Sequence, residues 1–189
     1  TVAINQFYLF KPRTGVRTGL LENINVNTGL ALSNYVNTTE DKLFKKEMWD
    51  ELKTGVKNNI SMSTNTTVAK YFTFSLAANA DNVLTTKTLE RSYNPIVNQV
   101  EDKFNKGIAG YTTFSTSASL QTVLYGQKNF SKTSPIVAIR HMVTPSFSFT
   151  YSPDFGEKSW GYFRNYANSR GEMTPYSIFD GGIYGAPSA

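Results

Sequence analysis

Aromatic and hydroxyl side chains alternate along the segment that follows Pro145. Phe147, Phe149 and Tyr151 share one parity, and Ser146, Ser148 and Thr150 share the other. Because successive side chains of a strand point to opposite faces, this segment has one apolar and one polar face. The same alternation recurs along most of the chain, in segments too long for a small sandwich. The pattern predicts an all-β, antiparallel transmembrane β-barrel section, with lipid on one face and water on the other.

Strand signals and chain breakers divide the sequence into about seven long strands. The predicted strands are 2–10, 17–36, 54–64, 68–91, 107–126, 137–152 and 176–185. Within the second, Asn23, Asn25 and Asn27 lie opposite the apolar parity, as suits a hydrated lumen. Residues 80–82 could instead turn 68–91 into a hairpin. One long strand is the interpretation that makes short and long connections alternate.

The connections predict the two ends of the barrel. Short connections fall at 11–16, 65–67 and 127–135, and long ones at 37–53, 92–106 and 153–174, which is typical of bacterial barrels. Phe44, Met48 and Leu52 recur at helical spacing, so we expect a short helix in the external loop 37–53. Since the smallest barrels have about eight strands, further strands are required. We therefore expect residues 1–189 to be part of a single outer-membrane β-barrel domain, excised from a longer polypeptide.

Composition supports a membrane sheet. Hydrophobic residues make up 40% of the chain and charged residues only 17%, against roughly 25% in soluble domains. No apolar run approaches the roughly 20 residues of a spanning helix, so a membrane location would require a closed sheet. The chain has no cysteine, which excludes disulfides and thiolate metal sites within it.

The net charge of +5 comes mainly from residues in the predicted connections. These cations are not interleaved with aromatic residues on one strand face, so nucleic acid is not an indicated partner. Connection 153–174 combines Lys158, Arg164 and Arg170 with five aromatic residues. The loop is either a lid whose cations contact the phosphates of a glycolipid or a self-packed cover over the rim. Acidic residues in the same loop argue against a pure anion site.

Two single residues, His141 and Pro145, stand out from the strand pattern. His141 is the only histidine and has no carboxylate at ligand spacing, so a structural or interfacial role is favoured over catalysis. Pro145 cannot donate to a strand ladder and predicts a strand irregularity. Neither a nucleophile elbow nor a phosphate-binding glycine loop occurs, so we expect no catalytic residues, no metal and no cofactor.

Four passages, in order, resemble LptD-type lipopolysaccharide-assembly proteins, the organic solvent tolerance family. They are Ala-Ile-Arg-His-Met-Val-Thr-Pro-Ser-Phe-Ser-Phe-Thr-Tyr-Ser-Pro-Asp-Phe at 138–155, Met-Trp and Leu-Lys-Thr-Gly-Val at 48–49 and 52–56, Lys-Tyr-Phe-Thr at 70–73, and Gly-Gly-Ile-Tyr-Gly-Ala-Pro-Ser at 181–188. The resemblance extends from about residue 15 to the end of the chain.

The resemblance implies a Gram-negative outer-membrane barrel that delivers lipopolysaccharide to the outer leaflet and is not an enzyme. Its implied partners are lipopolysaccharide, outer-membrane lipids, an LptE-like plug lipoprotein in the lumen and a periplasmic Lpt bridge. An N-terminal jellyroll domain and the remaining strands would lie outside this chain. Two alternatives stay open: another large barrel, such as a TonB-dependent receptor or porin-type nutrient transporter, and a soluble β-sandwich used for adhesion.

Overall fold

The computed structural model describes residues 1–10, 20–131 and 135–188, with only the backbone of Asn5. These residues form ten strands: β1 (Val2–Tyr8), β2 (Asn25–Tyr35), β3 (Lys53–Val68), β4 (Phe72–Asn94), β5 (Gln99–Thr122), β6 (Leu124–Asn129), β7 (Ala138–Val143), β8 (Ser146–Tyr151), β9 (Phe163–Ala167) and β10 (Met173–Ser177). They also contain helix α1 (Lys46–Glu51) and single 3₁₀ turns at Glu40–Lys42 and Lys158–Trp160. The predicted all-β, antiparallel fold class is confirmed.

One antiparallel sheet dominates the described part of the chain, in the order β1-β2-β3-β4-β5-β8. The hairpin β6–β7 continues β5 and β8 beyond Val123 and Pro145. There the N–H of Thr122 donates to the carbonyl of Pro145 across 3.1 Å. The separate hairpin β9–β10 lies against β4. Predicted strands five and six therefore correspond to β5 with β6 and to β7 with β8.

Pairing registers divide the sheet into two faces. From the turn end to the register shift after Thr85, even-numbered residues of β2 to β5 share one face with the odd-numbered residues of β8, as in the row Met62, Ala78, Thr116 and Tyr151. This is the apolar face, and Phe147 on it is 71% exposed. The opposite, polar face carries the remaining parity, as in the row Ser61, Asn79 and Ser115. Because Phe72, Phe114 and Phe147 are each more than a third exposed, they do not form the core of a compact globule.

The sheet has two ends with different connections. At the turn end, β3 and β4 are joined by residues 69–71, where Ala69 and Lys70 have φ of 51° and 66°. At the loop end lie the long β2–β3 connection with α1, the extended β4–β5 hairpin and residues 152–188. The predicted single strand over 68–91 is confirmed as β4, and α1 confirms a short helix in the β2–β3 connection.

Two predicted connections are wrong. The first is the long connection predicted at 92–106. In the structure β4 and β5 extend into this range and are joined by a tight turn at 95–98. Polar residues of the two strands form cross-strand pairs: Arg91 with Asp102, and Asn94 with Glu101. The polar sequence there belongs to a solvated hairpin and not to a loop. The prediction of a turn at 65–67 is also wrong, because β3 continues through these three residues to Val68.

Three further boundaries differ from prediction. Of the strand predicted at 17–36, residues 17–19 lie outside the described residues, and β2 begins at Asn25 instead of including residues 20–24. Leu20, Leu21 and Ile24 line a groove of about 450 Å³ on the apolar face. The loop at 153–174 contains β9 and the start of β10. The predicted seventh strand at 176–185 ends at Ser177, because the glycine-rich sequence after it follows the sheet surface instead of pairing. Connection 11–16 and residues 132–134 of connection 127–135 lie outside the described residues.

Candidate functional site

The polar face carries a hydrogen-bonded network of amides, hydroxyls and charges. The amide of Asn59 donates to the carboxylate of Asp81 across 2.6 Å, and the ammonium of Lys57 lies 3.1 Å from the same carboxylate. Nearer the turn end, the Ser63 hydroxyl donates to the Asn25 amide oxygen across 2.9 Å. Such a surface is stable only against water or a polar ligand, because buried polar groups need partners.

Residues 177–188, here called the strap, cross the loop-end half of this face. Its hydrogen bonds reach three strands of the sheet: Leu89 N–H donates to the Ile178 carbonyl (2.7 Å), the Tyr184 hydroxyl to the Ala31 carbonyl (3.1 Å), and the Tyr111 hydroxyl to the Gly185 carbonyl (3.1 Å). The Tyr184 hydroxyl also lies 3.0 Å from the hydroxyl of Ser33. The strap is therefore attached to three strands and covers part of the polar face.

A small core lies between the strap and the sheet. Val83 and Tyr111 on the polar face are buried with Phe179 of the strap, and the rings of Tyr111 and Phe179 are 4.8 Å apart. Gly55 permits the close approach of Ile183, since a Cβ on Gly55 would stand 2.5 Å from the Ile183 Cγ2 atom. Gly181 plays the same part where the strap meets the ring of Phe104.

Tyr162 closes the outer edge of β5. Strand β8 pairs with β5 only from Thr116 to Gln121, which leaves the edge next to Thr112 without that partner strand. The Thr112 N–H donates to the Tyr162 hydroxyl across 3.0 Å, and this hydroxyl donates to the Thr112 carbonyl across 3.1 Å. One side chain thus satisfies the two backbone groups that a neighbouring strand would otherwise occupy.

Aromatic rings fasten the same connection to the sheet. Phe155 is 1% exposed, and its ring centroid lies 5.8 Å from that of Phe114 on β5 and 5.3 Å from that of Trp160. Trp160 in turn stacks on Tyr162 at 5.9 Å. Such ring pairs add to the free energy gained from burial alone. The β8–β9 connection is therefore packed against β5.

The β4–β5 hairpin extends beyond the rest of the sheet and is held by a bidentate ion pair. Arg91 contacts the two carboxylate oxygens of Asp102 at 2.6 and 2.8 Å. The hydrogen bonds from Arg91 lower the pKa of the Asp102 carboxyl and, reciprocally, raise the pKa of the guanidinium. Arg91 also lies over the Tyr176 ring at 5.8 Å, which links the hairpin to β10.

The residues singled out from the sequence lie on several different elements. Lys158 is exposed in a 3₁₀ turn, and Arg164 and Arg170 are exposed on β9 and on the β9–β10 turn. Pro145 lies between β7 and β8, where the strand is interrupted. His141 is exposed on β7, opposite Gly126.

Sequence reasoning missed three residues that attach covering segments to the sheet. Tyr162 attaches the β8–β9 connection, and Tyr184 and Gly55 allow the strap to attach. The glycine-rich sequence at 181–188 was a usable signal, because glycines beside a tyrosine permit close backbone approach. Nothing in the local pattern indicates which strand Tyr162 contacts, since its partner Thr112 is far away in the sequence.

In the residues that the structure covers, no group of three His, Asp or Glu side chains is arranged to hold a metal ion. None of the helices in the described part of the chain has the length and hydrophobicity to span a bilayer.

Comparison with known proteins gives one family. The family model described as LptD protein matches residues 1–189, the whole chain, which confirms the resemblance seen in the sequence. Members of that family are outer-membrane proteins of Gram-negative bacteria with a role in lipopolysaccharide transport or assembly, and are not enzymes. No curated protein and no solved structure matches the chain.

Proposed function

Because the chain belongs to the LptD protein family, we propose that it forms part of the wall of an outer-membrane β-barrel that delivers lipopolysaccharide to the outer leaflet. The two-faced sheet is the observation that carries this proposal. A porin-type transporter or TonB-dependent receptor is disfavoured by the family assignment.

The apolar face has the extent that a bilayer requires. A polar row of Asn58, Asn82 and Thr112 bounds this face at the loop end. Its apolar part on β4 therefore runs from Phe72 to Ala80 and covers about 27 Å at roughly 3.4 Å per residue. A tilt of roughly 40° reduces this to about 20 Å across the membrane, close to the roughly 25 Å apolar band of such barrels. Beyond Leu84 the exposed positions of the β4–β5 hairpin are mainly polar, which places it outside the hydrocarbon layer.

The sheet offers unpaired edges for further strands. Its order runs from β1 to β8, and β1 and β8 do not pair with each other in the described part of the chain. An open apolar sheet in lipid would leave backbone groups unsatisfied, so we propose that additional strands close the barrel. The proposed domain is then a single barrel to which residues 1–189 contribute one section.

Within this barrel the polar face lines a hydrated lumen, and the strap covers its outward half. The polar part of lipopolysaccharide would pass along the amides and hydroxyls of the uncovered half. Space for an LptE-like plug lipoprotein is provided by the same lumen, and a periplasmic Lpt bridge would supply lipopolysaccharide at the turn end. The family supports lipopolysaccharide as the substrate and Lpt-system components as partners, and the plug lipoprotein and the bridge are part of this proposal.

Site-directed spin labelling tests the two faces. Because the chain has no cysteine, a thiol introduced at each position from Ser115 to Leu120 is unique within it. In the membrane-inserted protein, labels at 116, 118 and 120 should collide mainly with oxygen and labels at 115, 117 and 119 mainly with a water-soluble nickel chelate. Equal accessibility of both parities would contradict the proposed wall.

Photocrosslinking tests the cargo. A photoreactive amino acid at Ser117 on the polar face should capture lipopolysaccharide only while new molecules are being delivered. The same amino acid at Ala118, on the apolar face, provides the matched control and should capture resident lipid throughout. Crosslinks at Ser117 that persist after lipopolysaccharide synthesis is stopped would argue against passage along this face.

A further inference from the structure

Three lysine side chains converge at the loop end of the sheet, beside α1. Lys87 on β4 is only 8% exposed, and its ammonium donates to the backbone carbonyl of Asp50. Lys106 on β5 forms an ion pair with the Asp50 carboxylate. Lys53 on β3 points its ammonium at the ring of Phe104, 5.9 Å from the centroid. Lys53 and Lys87 line a recess of about 480 Å³, here called the lysine recess, and Lys106 adjoins it through its ion pair with Asp50. The other lining residues are Tyr35, Asn37, Asp50, Glu51 and Phe104.

The lysine recess has an excess of positive charge. Four ammonium groups, those of Lys46, Lys53, Lys87 and Lys106, act on this site, and a fifth, that of Lys42, lies 3.4 Å from Glu51. Against them stand the carboxylates of Asp50 and Glu51, which leaves a formal charge of +3. Burial lowers the pKa of the Lys87 ammonium, and the charges of Lys106 and Lys53 lower it further. In the described part of the chain, the carboxylates at this site therefore do not balance the positive charge of the lysines around it.

We propose that the lysine recess binds a phosphate group. A phosphate carries a charge near −2 at neutral pH and presents several strong acceptor oxygens, which offsets most of the excess charge and suits several ammonium donors. Lysine is a common phosphate ligand because its ammonium acts as a compact point charge. A single carboxylate would leave most of the excess charge uncompensated.

The position of the recess connects it to the strap. The Phe104 ring that faces Lys53 also contacts Gly181, so a bound phosphate would lie next to the strap at the outward mouth of the polar face. The identification of a glycolipid phosphate as the natural source rests on the proposed function. The phosphate site itself rests only on the lysine recess.

Titration calorimetry on the full chain in zwitterionic detergent, with inorganic phosphate as the probe, tests the site. Lys106→Gln removes an exposed ammonium and should weaken phosphate binding roughly tenfold. Asp50→Asn frees Lys106 from its ion pair and should strengthen binding about threefold. Lys158→Gln makes the same charge change in the β8–β9 connection and should leave the affinity unchanged. Circular dichroism confirms that each variant is folded.

The outcomes separate the site from non-specific charge and from the transport proposal. Equal weakening by Lys106→Gln and Lys158→Gln, or weaker binding by Asp50→Asn, would overturn the phosphate site. Micelles containing lipid A with and without its phosphates identify the source, because a headgroup ligand requires the phosphorylated form to bind more tightly. Delivery of lipopolysaccharide to the cell surface is measured separately. Loss of phosphate affinity in Lys106→Gln with normal delivery supports the site and leaves the transport proposal standing.

Discussion

At the scale of single residues, two glycines on the polar face differ only in what lies above them. Gly55 is covered by the strap, whereas no atom of the described residues lies within 4 Å of a Cβ placed on Gly29. Gly55→Ala should therefore displace Ile183 and Tyr184 and weaken attachment of the strap by about 1–3 kcal/mol. Hydrogen exchange of residues 177–188 should become faster.

Gly29→Ala is the matched control, because it adds the same methyl group to the same face of the neighbouring strand. Its exchange rates in the strap should equal those of the unmodified protein. Accelerated exchange in both variants would mean that the strap responds to general sheet perturbation and not to contact with Gly55.

The Tyr162 hydroxyl offers a second test at this scale. Tyr162→Phe keeps the ring but leaves the N–H and carbonyl of Thr112 without the partner they have here. Loss of partners at a part-buried edge costs about 1–3 kcal/mol, so we expect faster amide exchange at Thr112. Tyr125→Phe, at a highly exposed position of β6, should leave that amide unaffected. Unchanged exchange at Thr112 in Tyr162→Phe would show that the hydroxyl does not protect this edge.

At the scale of elements, the β4–β5 hairpin should loosen in acid. Its Asp102 carboxyl has a pKa below the ordinary value of 3.8 because Arg91 donates hydrogen bonds to it. A lowered folded-state pKa gives stability that is present above pH 3.8 and is lost as the pH falls through the folded value. Since the pair is partly exposed, the contribution is roughly 0.2–1 kcal/mol. Local opening of 86–106, measured by hydrogen exchange corrected for intrinsic rates, should increase below pH 4.

Asp102→Asn removes the titrating group, so the hairpin of this variant should open to the same extent at pH 6 and pH 3. A pH dependence that survives the substitution would assign the acid response to another carboxylate, for example Glu101 on the same strand.

The prediction of β4 as one strand rested on the alternation of short and long connections, although two of those connections are wrong. Period-two alternation predicted the other strands of the main sheet, because that period is written in each strand's own residues, and it placed Asn25 and Asn27 on the polar face. It failed at 92–106, where cross-strand charge pairs resembled a loop, and at 176–185, where glycines follow the sheet instead of pairing. Those elements depend on contacts between distant residues, and a single sequence does not show which strand a side chain will meet.

At the scale of the whole molecule, the strap gives the polar face an asymmetry along its length. The loop-end half is covered by residues 177–188, while the row from Ser61 to Ser115 nearer the turn end carries polar side chains outside the strap's hydrogen bonds. In the proposed barrel, cargo entering from the periplasm would meet a hydrated surface first and the cover afterwards. For the cargo to leave the lumen, either the strap would have to move or the cargo would have to pass between strands of the barrel.

The proposed orientation of the wall predicts opposite tolerances at adjacent positions of β5. Ala118 pairs with Leu76 and Phe149 on the apolar face, and Ser117 pairs with Ala77 and Thr150 on the polar face. Because a charge facing the bilayer midplane costs about 2–4 kcal/mol, Ala118→Arg should lower the free energy of unfolding from lipid vesicles by that amount. Ser117→Arg adds the same side chain toward water and should change it by less than about 1 kcal/mol. Urea titration of the vesicle-inserted full chain measures both values, and equal destabilisation by the two arginines would show that β5 does not separate lipid from water.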